Sequence, residues 1–122
     1  MIDKMKSVIL GHAVADALGV PVEFRYRSEV DKSPVTGMMG YGTYPYPAGS
    51  WSDDTSMSLC TLDSLANGSI DYTDIMNNFI KCLNENEYTP SGQTFDVGRT
   101  CRKSIMLYSQ TKDMENCGGR NY

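Results

Sequence analysis

Residues 20–50 constrain the fold of this chain more than any other stretch. Pro21, Pro34, Pro45 and Pro47 interrupt them, with Gly37, Gly40, Gly42 and Gly49 interspersed. A connection this long inside a compact domain is either functional or disordered. Its four tyrosines, Tyr26, Tyr41, Tyr44 and Tyr46, argue for order. The sequence therefore predicts an ordered loop layer over a cleft, with one helix before it and the remaining helices after it.

The flanking segments read as helices. Residues 3–18 place Met5, Val8, Ile9, Ala13 and Ala17 on one stripe and leave Lys4 and Lys6 to solvent. Gly19 is expected as a left-handed cap and Pro21 as a breaker. A second helix is expected over 53–66, capped by Ser52 or Asp53, with a buried stripe of Thr55, Leu59, Leu62, Leu65 and Ala66. A third is expected over 73–83, capped by Asp71 and burying Ile75, Met76, Phe79, Ile80 and Leu83. A fourth is expected over 95–108, with Val97, Cys101, Ile105 and Tyr108 in register. No run alternates with a period of two, so the fold class is all-α. The whole of 1–122 reads as a single domain, truncated: the tail from Lys112 has no periodic element and stops at Tyr122 as though cut.

Composition excludes several classes. The net charge of −4, 11 basic against 15 acidic residues, gives no reason to expect nucleic-acid binding. Cys60, Cys82, Cys101 and Cys117 form no close pair, so neither a zinc unit nor a disulfide ladder is suggested. Three of them fall in helical stretches, where a thiol acts as a small hydrophobe. The start is not a signal peptide, and no uninterrupted apolar run is long enough to span a bilayer. The expected compartment is a reducing cytoplasm.

Three segments carry the candidate chemistry. In Gly49-Ser50-Trp51-Ser52-Asp53-Asp54-Thr55, two adjacent carboxylates and hydroxyls at a helix start offer the hard oxygens that magnesium or manganese takes. The same residues also serve as an ordinary N-cap with acidic residues complementing the dipole. Asp16 falls in the apolar C-terminal half of the first helix, where a negative charge opposes the dipole and needs a partner or a function. Its partner is expected to be a backbone N–H or an arginine such as Arg25 or Arg99. Glu23, after the Gly-Val-Pro turn, is expected at the mouth of the cleft or as an exposed loop carboxylate. In Phe95-Asp96-Val97-Gly98-Arg99-Thr100, Asp96 and Arg99 are expected to pair within a helix, with Gly98 marking a close approach. His12, the one histidine, is expected to pack.

Taken in order, these segments resemble the ADP-ribosylglycohydrolase family. Gly11 to Phe24 is similar to its opening "GxxxGDALGxPxE" helix and turn, Gly49 to Met57 to "G-x-W-T/S-D-D-T-x-M", and Phe95 to Thr100 to "D-I-G-x-T". Ala15 stands where the family usually has glycine. The resemblance implies an all-α fold around a cleft that holds two Mg2+ and binds ADP-ribose. It implies hydrolysis of the bond between the distal ribose and an arginine, serine or other group. By position, Ser52, Asp53 and Asp54 would be metal ligands, and Asp16 and Glu23 would shape the cleft and place water or the ribose. The family's second ligand cluster, an Asp-x-Asp-Thr segment, does not occur in this sequence.

Two functions from different classes follow. One is a magnesium-dependent ADP-ribosyl hydrolase, acting on ADP-ribose or an ADP-ribosylated protein, of which these residues form a part. The other is an inactive, truncated relative, of phage origin or otherwise, that acts as a protein-binding inhibitor or interaction module, meeting a protein partner or itself through apolar helix faces. The tyrosines at 41, 44 and 46 would supply its aromatic anchors. Neither function calls for nucleic acid or membrane.

Overall fold

A computed structural model of the chain describes residues 2–119. The expected stop of the tail at 120–122 lies outside the described residues. The order of elements is α1 (Ile2–Gly19), a 3-10 turn η1 (Val20–Val22), α2 (Arg27–Lys32), α3 (Asp53–Leu65), α4 (Tyr72–Glu85) and α5 (Arg99–Thr111). There is no strand among the described residues, so the fold is all-α. Contacts cluster into two units, Met1–Thr55 and Ser56–Tyr122, the boundary falling within α3.

In the first unit, α1 continues into η1 without the left-handed cap expected at Gly19, which is right-handed with φ −78°. The left-handed residue comes later, at Phe24, with φ 61°. Of the expected stripe, Ala17 is buried and Ile9 and Ala13 are half-buried, but its N-terminal part is exposed. Ala17 is 3% exposed, whereas Met5 and Val8 are 57% and 71% exposed. The helix is apolar on several sides, which is how helices destined for burial all round are composed. By length and composition the stretch Asp3–Val22 is also apolar enough to cross a membrane, contrary to the expectation that no segment is. His12 and Asp16 interrupt every apolar run in it without lowering its average much. His12 is exposed rather than packed.

The connection is ordered but not purely a loop, since the stretch between Pro21 and Pro34 forms α2, closed by an exposed Arg27–Asp31 pair at 3.1 Å. The Thr43 segment folds back on η1: its N–H donates to the Pro21 carbonyl (3.0 Å) and its hydroxyl to the Glu23 carbonyl (2.6 Å). Gly42 permits this approach, because a Cβ there would stand 2.6 Å from the Pro21 carbonyl carbon. Tyr41 is exposed, and Tyr44 and Tyr46 are half-buried.

In the second unit, α4 is capped as expected, the Asp71 side chain accepting from the N–H groups of Thr73 (2.9 Å) and Asp74 (3.1 Å). It ends on Asn86 in the left-handed conformation. The buried face of α3 is offset from the expected one. Ser56, Cys60 and Ser64 are buried and Leu65 is exposed. Part of this face meets α4: Asn78 donates its side-chain N–H to the Cys60 carbonyl (3.2 Å), and the Cys60 thiol faces the Asn78 carbonyl (3.5 Å). A hydrogen bond with Cys82, and then burial, push the Cys60 thiol well above its ordinary range. None of the four cysteines is in a disulfide, but Cys101, expected among apolar neighbours, is exposed.

α5 packs against α4 and buries Ile105 and Tyr108. It starts four residues later than expected. Asp96 is left-handed (φ 63°) and Gly98 is an extended N-cap. Gly98 therefore lies ahead of the helix, and Asp96 and Arg99 do not share a helical turn.

Candidate functional site

The site is assembled where the loop layer returns to the start of α3. Gly49 has φ 88°, a conformation that disfavours any side chain, and it turns the chain tightly into Ser50 and the half-buried Trp51. The Ser52 hydroxyl then accepts the Asp54 N–H at 3.3 Å, an N-cap contact as expected. Its dominant partner lies elsewhere, on α1.

Asp16 Oδ2 accepts the N–H groups of Ser52 (3.0 Å) and Thr55 (3.1 Å) and the Thr55 hydroxyl (2.6 Å). Its Oδ1 accepts the Ser52 hydroxyl at 2.8 Å. One carboxylate thus receives four donors from the first turn of α3. That answers what the sequence left open about Asp16: backbone N–H groups and hydroxyls satisfy it, and among the described residues neither Arg25 nor Arg99 does. The arrangement is electrostatically coherent, because the positive end of the α3 dipole faces the charge. The motif around Asp16 and the Ser52–Thr55 motif, 36 to 39 residues apart in sequence, meet in one hydrogen-bonded joint.

The ADP-ribosylglycohydrolase profile matches residues 1–121. The chain belongs to the ADP-ribosylglycohydrolase family. It is 35% identical over 105 residues to the ADP-ribosylarginine hydrolase Tri1 of Pseudomonas putida (strain GB-1), covering 85% of this chain and 28% of that protein. It is 37% identical over 109 residues to the ADP-ribosyl-[dinitrogen reductase] glycohydrolase of Rhodospirillum rubrum, covering 87% of this chain and 35% of that protein. The solved structure of an ADP-ribosylglycohydrolase-related protein complex matches with a TM-score of 0.71 at 32% identity, over 88% of this chain and 33% of the other. The chain therefore spans about a third of the length of the relatives it matches, and its helices form part of the family's domain.

Within that family frame, the residues singled out from sequence stand as follows. Ser52 is buried, Asp53 is half-buried and Asp54 is exposed, all consecutive at the start of α3. Glu23 enters by a separate turn: it is half-buried at the end of η1, with its carbonyl held by Thr43. Two hydroxyl residues that the sequence does not mark as site residues belong to its framework. Thr55, 2% exposed, donates twice to Asp16, and Thr43 fixes the Glu23 turn. Thr55 has a visible signal, since it follows the paired aspartates directly. Nothing in the sequence around Thr43 sets it apart.

The donor types suit a hard divalent cation, since a hydroxyl and two carboxylates on a rigid first turn are what magnesium prefers. Their number does not complete a shell. Among the described residues, no group of three or more His, Cys, Asp or Glu side chains is placed to hold a metal ion.

Proposed function

We propose that this chain supplies one side of a two-magnesium cleft in a cytoplasmic ADP-ribosylarginine hydrolase. Ser52, Asp53 and Asp54 are its metal-binding residues, and Glu23 flanks the ribose. The observation that carries the reading is the joint between Asp16 and the Ser52–Thr55 turn, which brings two of the three family-like motifs into contact through side chains of the chemistry concerned. The matched relatives named as an ADP-ribosylarginine hydrolase and a dinitrogen reductase glycohydrolase support ADP-ribose attached to arginine as the substrate class.

The overall reaction adds water at the anomeric carbon of the ribose and returns the proton to the departing guanidino nitrogen. Bound magnesium would polarise water and ribose hydroxyls. The residues of this chain have narrower tasks. The first turn of α3 presents its oxygens from a backbone locked at both Ser52 and Thr55. The Glu23 turn, pinned by Thr43, would offer a carboxylate to an oxocarbenium-like centre. Productive geometry requires ligands from outside these residues as well, so the isolated chain is expected to bind magnesium weakly and to release no ADP-ribose.

A chimera tests this. The matched segment of the Pseudomonas putida hydrolase is replaced by this chain, and release of ADP-ribose from modified arginine is measured with and without Asp54→Ala. Release by the parent chimera, falling about a hundredfold or more in the variant, is expected. A folded chimera with no activity, under conditions where the hydrolase itself is active, would overturn the assignment.

One observation favours the second function, an interaction module without catalysis. Met5, Val8, Leu10 and Val14 of α1 are all exposed, an apolar surface that a protein partner or a second copy would cover. Sedimentation of the chain at high concentration separates the cases: a monomer counts against self-association.

A further inference from the structure

Asp16 occupies a place that is unfavourable for its own helix. It lies three residues from the end of α1, at the negative pole of that helix's dipole. What holds the charge there is another helix altogether. All of its hydrogen bonds among the described residues come from Ser52 and Thr55, and both of its oxygens are engaged. A carboxylate receiving four donors is poorly disposed to deprotonate water or to grip a ribose.

We propose that Asp16 is a positioning residue, not a catalytic one: it sets the direction of the Ser52 and Thr55 hydroxyls and the pitch of the turn that carries Ser52, Asp53 and Asp54. The directional part follows from the chemistry of a hydroxyl, which has one proton and two lone pairs. Ser52 gives its proton to Oδ1 at 2.8 Å, and Thr55 gives its proton to Oδ2 at 2.6 Å. The lone pairs of Ser52 are thereby turned away from Asp16, one of them accepting the Asp54 N–H. A hydroxyl that binds a cation must face it with a lone pair and point its proton elsewhere. Asp16 imposes that orientation before any cation arrives, as partners behind metal ligands commonly do. The backbone part is independent of metal: Oδ2 ties the N–H of Ser52 to that of Thr55 and closes the turn from outside.

This inference deepens the metal-binding reading and rests on it only for the hydroxyl arm. Two variants of the full chain, studied first without metal, separate its parts. Asp16→Ala removes every acceptor. Amide exchange at Ser52 and Thr55 should then accelerate about tenfold or more, while Cys60 and Ser64 further along α3 stay protected. Asp16→Asn keeps the volume and an oxygen for the two N–H groups but brings its own NH2, which forces a hydroxyl to turn its proton round. Its unfolding temperature should change little, and its affinity for Mn2+, followed by the paramagnetic signal of the ion, should fall about tenfold or more.

A purely structural Asp16 would leave Mn2+ affinity in Asp16→Asn equal to that of the parent chain, and that result would overturn the orienting role. Unchanged exchange at Ser52 and Thr55 in Asp16→Ala would overturn the bracing role. Should Asp16→Ala fail to fold, Thr55→Val serves instead, and unaltered exchange at Ser52 and Thr55 together with unaltered Mn2+ affinity counts against the proposal. A parent chain that takes up no Mn2+ at millimolar concentration overturns the orienting role in this chain, and the exchange data then decide the bracing role alone.

Discussion

α1 and α4 are both long helices, yet they use their apolar residues differently. α4 is amphipathic in the ordinary sense: Ile75, Asn78 and Cys82 are buried along one face, and it is capped at both ends by Asp71 and Asn86. α1 is more apolar and has no comparable face. Among its described residues only Ala17 is buried, and Val8 and Leu10 remain 71% and 65% exposed. In α4 the buried polar group, Asn78, stitches the helix to α3 before it. In α1 the polar group that matters, Asp16, reaches past its own helix to organise the start of another. The apolar residues of α4 account for its stability, whereas the informative residue of α1 is the one that breaks its apolar pattern.

If that contrast holds, Asn78 should be among the costliest side chains to truncate on either helix. It is 4% exposed and donates to the Cys60 carbonyl at 3.2 Å. Asn78→Ala removes the bond and leaves a cavity between α3 and α4, so a loss of about 3 kcal/mol is expected in denaturant unfolding. A loss below about 1 kcal/mol would mean that α4 is not the better-anchored helix.

The next effect belongs to the loop layer. Gly42→Ala would drive a Cβ into the Pro21 backbone, 2.7 Å from its Cα. The Thr43 segment must then lift from η1, with an expected cost of about 2 kcal/mol. The Glu23 turn would loosen with it, which exchange at the Thr43 amide would report. An unaltered Thr43 amide would show that the loop is held by other contacts.

These elements differ in how far the sequence makes them visible. The existence of all four long helices is legible in the sequence, although a clear 3.6-residue face is present only in α4 and α5, and the α4 cap is legible from Asp71 followed by Asp74. α2 is hidden because Pro21 and Pro34 on either side make residues 20–50 look uniformly irregular, although 27–32 contain neither proline nor glycine. The face of α3 is misread because leucines draw the stripe. The positions that are buried are Ser56, Cys60 and Ser64, small residues that leave no periodic apolar signal. The start of α5 is expected too early because periodicity does not register a left-handed Asp96. In the candidate site, the consecutive Ser52-Asp53-Asp54 at a helix start is legible and so is the anomaly at Asp16. Its resolution is not, since nothing local tells which donors 36 residues away will satisfy a carboxylate.

A smaller effect sharpens the comparison within the second unit. The Tyr88 hydroxyl donates to Asp63 at 2.7 Å. Burial first, and then that bond, raise its pKa above the ordinary value near 10. The folded state thus favours the protonated phenol, and the bond's contribution is complete below about pH 10 and declines as pH rises beyond it. Tyr88→Phe should lose about 1 kcal/mol at neutral pH. The difference between the variant and the parent should narrow in alkaline solution, where the parent surrenders its proton. A gap that widens with pH would show that the phenolate, not the phenol, is the stabilised form.

The smallest expected effect tests α1 directly. Val8→Lys replaces an apolar side chain that is 71% exposed with one that favours water and is a good helix former. If nothing covers this part of α1, stability should stay within about 0.5 kcal/mol of the parent, as for surface changes generally. The same substitution at Ile75 on α4, 9% exposed, would bury an unpaired charge and should unfold the second unit. The pair therefore measures the contrast between the helices in one experiment. A concentration-dependent loss well above about 0.5 kcal/mol at Val8, accompanied by a fall in sedimenting mass, would show that in solution a second copy lies against α1. The apolar character of α1 would then be in use after all, between chains rather than within one.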